Sequence, residues 1–341
     1  MNPPELAQKL TTLWPPANWL DVNVGIAVSG GADSVALLLS LVQIKKELGG
    51  DGNLAVFHVN HHLRGADSDL EQAWVEELCN KLGIPFEALQ GDVAGRAETE
   101  GDGIEAAARQ ERYALLTQAA ERHGARFLAL AHTQNDQVET ILFRLLRGTG
   151  LRGIGGINRS RVLTPTLTLI RPLLTCTREE ILAYLSDREQ SYCTDLSNED
   201  CRFTRNRLRN ELLPKLRCDY GLNIDQALLR LSEQASEVQS YIEAEARKLL
   251  TTSLDGLKTN AQAGSNSMKL KSSALVNHPP LLVREALRIA WREAGLAEQE
   301  MNFQWWCKLA SLVQGDSSAA VLSLPGNVRA QSANDLLLLE W

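Results

Sequence analysis

The feature that most constrains the fold of this chain is a glycine turn between an apolar run and a helical pattern. The apolar run Val22–Val28 ends at Ser29–Ser34, Ser-Gly-Gly-Ala-Asp-Ser, and a helical pattern follows from Val35. This order predicts a strand, a tight turn and a helix N-terminus. Glycines allow positive φ and close approach of a ligand, and the N–H groups of a helix N-terminus bind anions. We therefore predict a phosphate-binding loop, in which Asp33 is out of place unless a metal or a substrate donor lies beside it.

Strand-like and helical patterns alternate along the first part of the chain. In order they are Val22–Val28, Ser34–Leu48, Asn53–Val59, Leu70–Leu82, Pro85–Leu89, Ile104–His123 and Phe127–Ala131. The alternation predicts an α/β fold, a doubly wound parallel sheet with helices on both faces. Ligands of such folds bind outside the carboxyl ends of the strands. The segments Ser29–Ser34, His58–Arg64 and Ala131–Asp136 should therefore converge on one crevice.

The second part of the chain is predicted to be helical and then mixed. Helical patterns and short strands follow at Arg178–Ser186, Arg205–Arg217, Ile224–Leu250, Leu281–Ala294, Phe303–Leu312, Ala319–Leu324, Val328–Gln331 and Leu336–Leu339. Between them, Gly256–Asn266 has the composition of a linker. We predict a catalytic domain over residues 1–217, a helical linker region over 218–255 and a small α+β C-terminal domain over 256–341.

Composition argues against several classes of protein. The six cysteines are scattered without a C-x-x-C pair, which argues against a structural zinc, an iron–sulfur cluster or a disulfide framework. No apolar run approaches the roughly 20 residues that cross a bilayer. Residues 1–5 lack the basic and apolar regions of a signal peptide. We expect a cytoplasmic protein with no membrane partner.

Arginines are concentrated in two stretches. The net charge of −7 is weak evidence against nucleic-acid binding, because total charge hides its local distribution. Thr140–Arg178 contains seven arginines and no acidic residue, and a second basic cluster spans Arg202–Arg217, broken only by Glu211. Arginine runs of this kind are also typical of an ordinary solvated surface. Their position in glycine-rich loops favours phosphate binding.

The glycine turn resembles the pyrophosphate loop of the N-type ATP pyrophosphatases, the PP-loop enzymes. It has no Gly-Lys-Ser/Thr ending and no G-x-G-x-x-G, so it is neither a kinase-type phosphate loop nor a dinucleotide fingerprint. Further segments resemble one branch, the tRNA(Ile)-lysidine synthases: His58–Arg64, Glu105–Tyr113, Ala131–Thr140, Arg144–Gly148, Arg171–Leu174, Asp195–Asn198 and Arg205–Arg209. Together they span residues 22–217 in the family's order. One departure is Asn135, where an aspartate is common.

The resemblance implies an ATP-dependent carbon–nitrogen ligase. ATP would adenylate the C2 oxygen of the wobble cytidine in a CAU-anticodon tRNA(Ile), with release of pyrophosphate. The ε-amine of free L-lysine would then displace AMP to give lysidine, which changes decoding from AUG to AUA. The implied ATP-binding residues are Ser29, Gly30, Gly31, Ala32, Asp33 and Ser34, with Mg²⁺ as the metal.

Three residues are implied to be catalytic. Asp33 would bind Mg²⁺, although a first-turn or N-cap aspartate has the same position. His132 would contact the phosphates or the cytidine, and the alternative is a loop histidine with a satisfied hydrogen bond. Arg205 lies in the second basic cluster and matches family arginines implicated in stabilising the adenylation transition state.

Substrate-binding residues are also implied. Asp136 and Glu139 lie three apart at a helix start and would clamp the lysine ammonium, unless they only complement the helix dipole. The candidate tRNA-binding residues are Arg64, Arg109, Arg112, Arg144, Arg147, Arg207 and Arg209. Arg109 and Arg112 share a helix face, where a structural ion pair is the alternative.

Three other functions stay open at this stage. A tRNA 2-thiolation enzyme on the same scaffold is the nearest alternative, but such enzymes generally carry paired cysteines. An NAD or GMP synthetase would leave the arginine clusters without a purpose. A catalytically inactive RNA-binding protein would not need the polar residues of the predicted crevice. Whether the protein is a homodimer is left open.

Overall fold

The computed structural model describes residues 6–60, 66–91, 104–193, 204–221, 223–254, 267–314 and 321–341. The chain divides into two compact units, Met1–Ser232 and Glu233–Trp341. The domain limits expected from the sequence, at 217 and 255, stay a prediction.

The first unit is built from alternating strands and helices. Its strands are β1 Val24–Ala27, β2 Leu54–Asn60, β3 Phe86–Gln90, β4 Phe127–Ala129, β5 Ser160–Val162 and β6 Thr168–Ile170. Its helices are α1 Leu6–Leu13, α2 Ala32–Leu48, α3 Ala66–Leu82, α4 Ile104–Arg122, α5 Gln134–Leu146, α6 Leu151–Ile154, α7 Arg178–Ser186, α8 Thr204–Arg207 and α9 Leu213–Tyr220. A π-helical turn, Leu208–Leu212, joins α8 to α9, and α10, Ile224–Leu254, begins in this unit.

In the described part of the first unit, the strands form one six-stranded sheet in the order β3-β2-β1-β4-β6-β5. All neighbours are parallel except β5, which runs antiparallel to β6 at the edge. Ile26 pairs with Val56 on one side and with Ala129 on the other. The predicted doubly wound parallel sheet is confirmed.

The central strands are apolar because both faces of the sheet are covered. Ile26, Val56 and Leu128 have no exposed surface, as expected for parallel strands between helices. His58 is a polar member of β2, and its Nδ1 donates to the Val28 carbonyl at 2.9 Å. This bond ties the end of β2 to the residue that precedes the glycine turn. Burial lowers the pKa of His58, so it acts as a neutral structural histidine.

The second unit combines helices with an antiparallel sheet. Its strands, β7 Ser267–Lys271, β8 Val321–Leu324, β9 Val328–Ala333 and β10 Leu336–Glu340, pair in the order β7-β10-β9-β8. The helices α11 Pro280–Glu293 and α12 Phe303–Gln314 complete it. Its buried core includes Leu270, Trp291 and Leu337. The three predicted strands are present, β7 was not predicted, and the predicted linker Gly256–Asn266 lies outside the described residues.

Within the described segments, no helix combines the length and the apolar character needed to cross a membrane.

Candidate active site

The glycine turn after β1 forms a loop closed by two serines. Ser34 Oγ donates to the Gly31 carbonyl at 2.9 Å and accepts from the Ser29 backbone N–H at 3.2 Å. Ser29 Oγ lies 3.3 Å from Ser34 Oγ. These bonds hold the loop backbone in place without a ligand.

The N-terminus of α2 offers backbone donors to an anion. Gly31 is the N-cap residue of this 17-residue helix, and glycine has no side chain with which to cap the first turn. Helix N-termini leave N–H groups unsatisfied, and the helix dipole adds partial positive charge there. The turn therefore has the local structure of an anion-binding site.

Gly30 is required by its backbone conformation. Its φ of +91° lies in the region that favours glycine, and an added Cβ would lie 3.2 Å from Glu71 Cγ and 3.3 Å from Cys193 Sγ. The Gly30 carbonyl also accepts the Cys193 backbone N–H at 3.0 Å. Cys193 therefore packs directly against the loop, a contact that the sequence did not reveal.

We expect Gly30→Ala to lower the free energy of unfolding by about 1–3 kcal/mol, because alanine strains the backbone at this φ. Gly31 is the matched control, since its φ is −69° and its added Cβ would lie 3.6 Å from Ser29 Oγ. Gly31→Ala should change the free energy of unfolding by less than about 1 kcal/mol, because the gain from a less flexible unfolded chain opposes the loss from alanine at an N-cap. Urea unfolding measures both variants, and an equal loss in the two would contradict a backbone origin.

Asp33 lies in the first turn of α2, where the sequence predicted the metal-binding carboxylate. Both of its carboxylate oxygens are 3.4 Å from Arg178 Nη1. Burial raises the pKa of Asp33, and the acids Asp136 and Glu139 raise it further, against the opposing effect of Arg178 and Arg209. The Arg178 backbone N–H also donates to Asn135 Oδ1 at 3.2 Å, so Arg178 contacts both the segment after β1 and the segment after β4.

His132 follows β4 and accepts a hydrogen bond from Arg171, which follows the neighbouring strand β6. Arg171 Nε lies 3.2 Å from His132 Nδ1, and Arg171 Nη1 donates to the Asn158 carbonyl at 2.6 Å. Arg171 Nη2 also lies 3.4 Å from the Tyr113 hydroxyl. Burial, with Arg171 and its neighbours, lowers the pKa of His132 to about 3. The imidazole is therefore neutral.

Asp136 and Glu139 lie on the first turns of α5, and a guanidinium already contacts both. Asp136 Oδ2 accepts from the Thr133 backbone N–H at 2.8 Å and from Thr133 Oγ1 at 3.0 Å, a capping box. Arg209 donates to the two Glu139 oxygens at 2.6 and 3.1 Å and lies 3.6 Å from Asp136 Oδ1. The pair binds a cation, and Asp136 also has the helix-start role that the sequence left as the alternative.

Arg209 reaches Glu139 from the π-helical turn Leu208–Leu212. Such turns are rare and occur frequently at functional sites. The Glu139 side chain is 2% exposed, whereas that of Arg209 is 41% exposed. Burial alone would lower the pKa of Arg209, but its bonds and proximity to Glu139 raise it. The guanidinium is a charged partner that still reaches solvent.

The other candidate arginines have different surroundings. Arg109 and Arg112 are exposed on α4 beside the Tyr113 ring, with centroid distances of 5.2 and 5.9 Å. Arg144 donates to the carbonyls of Gly153 and Gly156, at 3.1 and 2.6 Å.

Arg147 and Arg207 are exposed, whereas Arg64 and the Arg205 side chain lie outside the described residues. Arg147 lies 4.2 Å from the centroid of the Phe143 ring. Arg207 lies 4.0 Å from Glu211. Arg64 lies outside the described residues. Arg205 belongs to α8, but its side chain lies outside the described part of the chain. The predicted tRNA and catalytic roles of these residues stay predictions.

A sequence model of the PP-loop domain family matches residues 4–216. The chain belongs to this family. The match covers the six-stranded sheet, the glycine turn, and the residues His132, Asp136 and Glu139. The PP-loop assignment made from Ser29–Ser34 is confirmed, and it implies that this domain binds ATP.

Curated relatives of this PP-loop protein are tRNA(Ile)-lysidine synthases. That of Porphyromonas gingivalis is 40% identical over 221 residues, which cover 65% of this chain and 46% of the relative. That of a Nostoc species is 28% identical over 319 residues, which cover 92% of this chain and 90% of the relative. The chain spans about half the length of the first curated relatives that it matches. The predicted resemblance to these synthases is confirmed.

A solved structure shows the same PP-loop fold. It is a U34-tRNA thiolase from Methanococcus maripaludis, with a TM-score of 0.57 and 19% identity, over 68% of this chain and 78% of the thiolase. At this identity the likeness concerns the fold alone. The thiolation alternative therefore has less support than lysidine formation.

The PP-loop site offers a carboxylate for a nucleotide-bound metal. Mg²⁺ beside a nucleotide takes one or two protein carboxylates, and phosphate and water oxygens complete its coordination. Asp33 supplies such a carboxylate next to the uncapped end of α2. Among the described residues, no group of three or more His, Cys, Asp or Glu side chains could hold a metal. The donor set fits a metal held largely by the nucleotide.

Proposed function

We propose that this chain catalyses the ATP-dependent ligation of free L-lysine to C2 of the wobble cytidine of a CAU-anticodon tRNA(Ile). An adenylated cytidine would be the intermediate, and AMP and pyrophosphate the products. The observation that carries the proposal is that the PP-loop turn follows β1, and His132 and the acid pair Asp136 and Glu139 follow β4, its parallel neighbour in the sheet. The similarity to named lysidine synthases supports it.

In the first half-reaction, the Ser29–Ser34 loop would bind the β- and γ-phosphates as the leaving group. Mg²⁺, held by Asp33 and the phosphates, would supply charge neutralisation on those oxygens. His132 is neutral, so it would contact a phosphoryl or cytidine oxygen as a hydrogen-bond donor and not as an imidazolium. Arg205 would stabilise the negative charge that develops on the transferred phosphoryl group.

In the second half-reaction, Asp136 and Glu139 would bind the ammonium group of free lysine and orient it for attack as the amine. Arg209 occupies that position in the structure, so it would have to leave as lysine binds. The attacking amine must be neutral, and with a pKa of about 10.4 its deprotonation at pH 7.4 costs about 4 kcal/mol. A carboxylate clamp increases that cost. The departing phosphate or another base must therefore accept the proton.

The tRNA would be held through its phosphates. Exposed arginines on α4 and after α5, Arg109, Arg112 and Arg147, provide positive charge in the first unit. Arg64, Arg144, Arg207 and the released Arg209 complete the proposed set. Single-stranded bases are splayed readily, so moving the anticodon cytidine into the crevice costs little. We propose a cytoplasmic location for this reaction, because its tRNA and free lysine are found there.

The decisive experiment measures the products that the purified protein forms from ATP. With CAU-anticodon tRNA(Ile), we expect release of pyrophosphate, and with free lysine we expect AMP and lysidine in a nucleoside digest. A tRNA with uridine at the wobble position is the matched control and should release no pyrophosphate above background. Formation of ADP and orthophosphate, or a thiolated nucleoside in the presence of a sulfur donor, would contradict the proposal.

A further inference from the structure

The carboxyl ends of two adjacent parallel strands place Arg171 beside His132. Strand β4 pairs with β6 through Leu128 and Leu169, and the Leu130 backbone N–H donates to the Ile170 carbonyl at 2.9 Å. The register therefore continues beyond both strands to the two side chains. Arg171 is 5% exposed, so its direction is set by buried surroundings and not by solvent.

The arginine is held at more than one point. Its backbone N–H donates to the Arg159 carbonyl at 2.9 Å, and its Nη1 donates to the Asn158 carbonyl at 2.6 Å. Nη2 lies 3.4 Å from the Tyr113 hydroxyl. These contacts leave Nε to face His132 Nδ1, at 3.2 Å. A guanidinium with this many fixed bonds cannot rotate away when a substrate enters.

The chemistry of this contact determines where the imidazole proton lies. A guanidinium has five N–H donors and no acceptor, so His132 Nδ1 must accept. A neutral imidazole that accepts at Nδ1 carries its proton at Nε2. None of the described residues forms a hydrogen bond to that Nε2. It is therefore available to donate to a ligand.

We propose that Arg171 is a positioning residue that fixes His132 as the Nε2–H tautomer, so that His132 donates from Nε2 to a phosphoryl or cytidine oxygen during adenylation. The identity of the acceptor rests on the proposed function. The tautomer does not. His132 donates a hydrogen bond throughout and transfers no proton. Arg171 acts through His132 and contacts no substrate.

The charged groups around His132 agree with this assignment. Arg171, Arg112 and Arg109 disfavour an imidazolium, burial disfavours it most, and Asp136 is the group that opposes them. The neutral form is therefore present over the whole range in which the enzyme would work. An imidazole that acts alternately as a general base and a general acid needs a pKa of about 7. Its surroundings would have to stabilise the imidazolium, which these do not.

Nitrogen NMR on the whole, nucleotide-free chain tests the tautomer directly. The ¹⁵N shifts of an imidazole distinguish a protonated from an unprotonated ring nitrogen, and His132→Gln identifies the signals of His132. We expect Nδ1 to be unprotonated and Nε2 to be protonated, without change between pH 5 and 8. A protonated Nδ1, or a titration within that range, would overturn the proposal.

Pyrophosphate release in the presence of tRNA tests the consequence. A glutamine amide places its donor near Nε2, whereas an asparagine amide places it near Nδ1, against the Arg171 donor. His132→Gln should therefore be at least about tenfold faster than His132→Asn, given that misplacing a reacting group by 1 Å costs about 100-fold. The reverse order would overturn the proposal.

A double-mutant cycle separates positioning from structural support. Arg171→Met should slow pyrophosphate release by about 10- to 100-fold in the wild type, but by less than about threefold in the His132→Gln background. An equal loss in both backgrounds would show a structural role only. Arg126→Met is the matched control, because Arg126 lies at the amino end of β4 and donates to the Thr166 carbonyl. It should stay within about twofold of the wild type.

The two proposals fail separately. If the wild type forms no pyrophosphate with tRNA, the proposed function is wrong, and the NMR measurement still decides the tautomer. If Arg171→Met does not fold, the wild-type spectrum and the comparison of glutamine with asparagine at position 132 still decide between the outcomes.

Discussion

Replacing Asp33 with asparagine should lower the rate of pyrophosphate release by about 100- to 1,000-fold. Losses of this size follow when one electrostatic contact to a developing charge is removed. Asparagine keeps the shape and the position in the first turn of α2 but removes the negative charge that would hold Mg²⁺. Stopped assays with tRNA(Ile) and ATP, with pyrophosphate as the readout, measure the rate.

The same variant should be as stable as the wild type or more stable. The pKa of Asp33 is raised, chiefly by burial, so its charged form is less favourable in the folded chain than in the unfolded chain. A carboxyl group with a raised folded pKa contributes stability below its unfolded pKa, and this is lost as pH rises through the folded pKa. At neutral pH this contribution to stability is completely lost. Asparagine carries no charge, so the variant avoids the cost of burying one.

Opposite effects on activity and stability would mark Asp33 as a functional residue. Asp187 is the matched control, because it is an exposed aspartate at the C-cap of α7 in the same unit. Asp187→Asn should change neither quantity measurably. An Asp33→Asn protein with wild-type rates would contradict the metal-binding role, and a strongly destabilised one would favour a structural aspartate.

Replacing Arg209 with methionine should destabilise the first unit by about 3 kcal/mol, because it removes the guanidinium that donates to both oxygens of the buried Glu139 carboxylate. Glu139 is 2% exposed and cannot turn to solvent, whereas Arg209 is 41% exposed and can. Glu139→Gln should therefore cost less, about 1 kcal/mol, since the guanidinium that it releases is hydrated. Urea unfolding of both variants gives the order.

Free lysine provides a second readout of the same variant. If Asp136 and Glu139 bind an ammonium, saturating L-lysine should raise the melting temperature of Arg209→Met more than that of the wild type, where the guanidinium competes. Norleucine is the matched control, because it lacks only the ε-amine. Equal effects of lysine and norleucine would contradict the proposed clamp.

The fold and the position of the site were predictable because they depend on local pattern. The apolar run at Val22–Val28, the glycines after it and the helical pattern from Val35 each act over a few residues. The rule that ligands bind at the carboxyl ends of parallel strands then predicted a site to which both the turn after β1 and His132 after β4 contribute. The strands β5 and β6 were missed because three residues are too few to show a period.

The partners of the site residues were not predictable, because they are distant in the chain. Arg171 contacts a histidine 39 residues away, Arg209 an acid 70 residues away and Arg178 an aspartate 145 residues away. Each arginine was visible only as a member of a basic stretch. No pattern in one sequence distinguishes an arginine that binds RNA from one that neutralises a buried carboxylate.

The contact between Arg209 and Glu139 also bears on how the protein would respond to its amino-acid supply. A cation tethered to the same chain competes at an effective concentration in about the millimolar range. Free lysine must reach a comparable concentration, or gain binding contacts elsewhere in the site, before its ammonium displaces the Arg209 guanidinium. If the acid pair binds lysine as proposed, this competition raises the lysine concentration at which the site is half filled, and the extent of modification would depend on how much lysine is available.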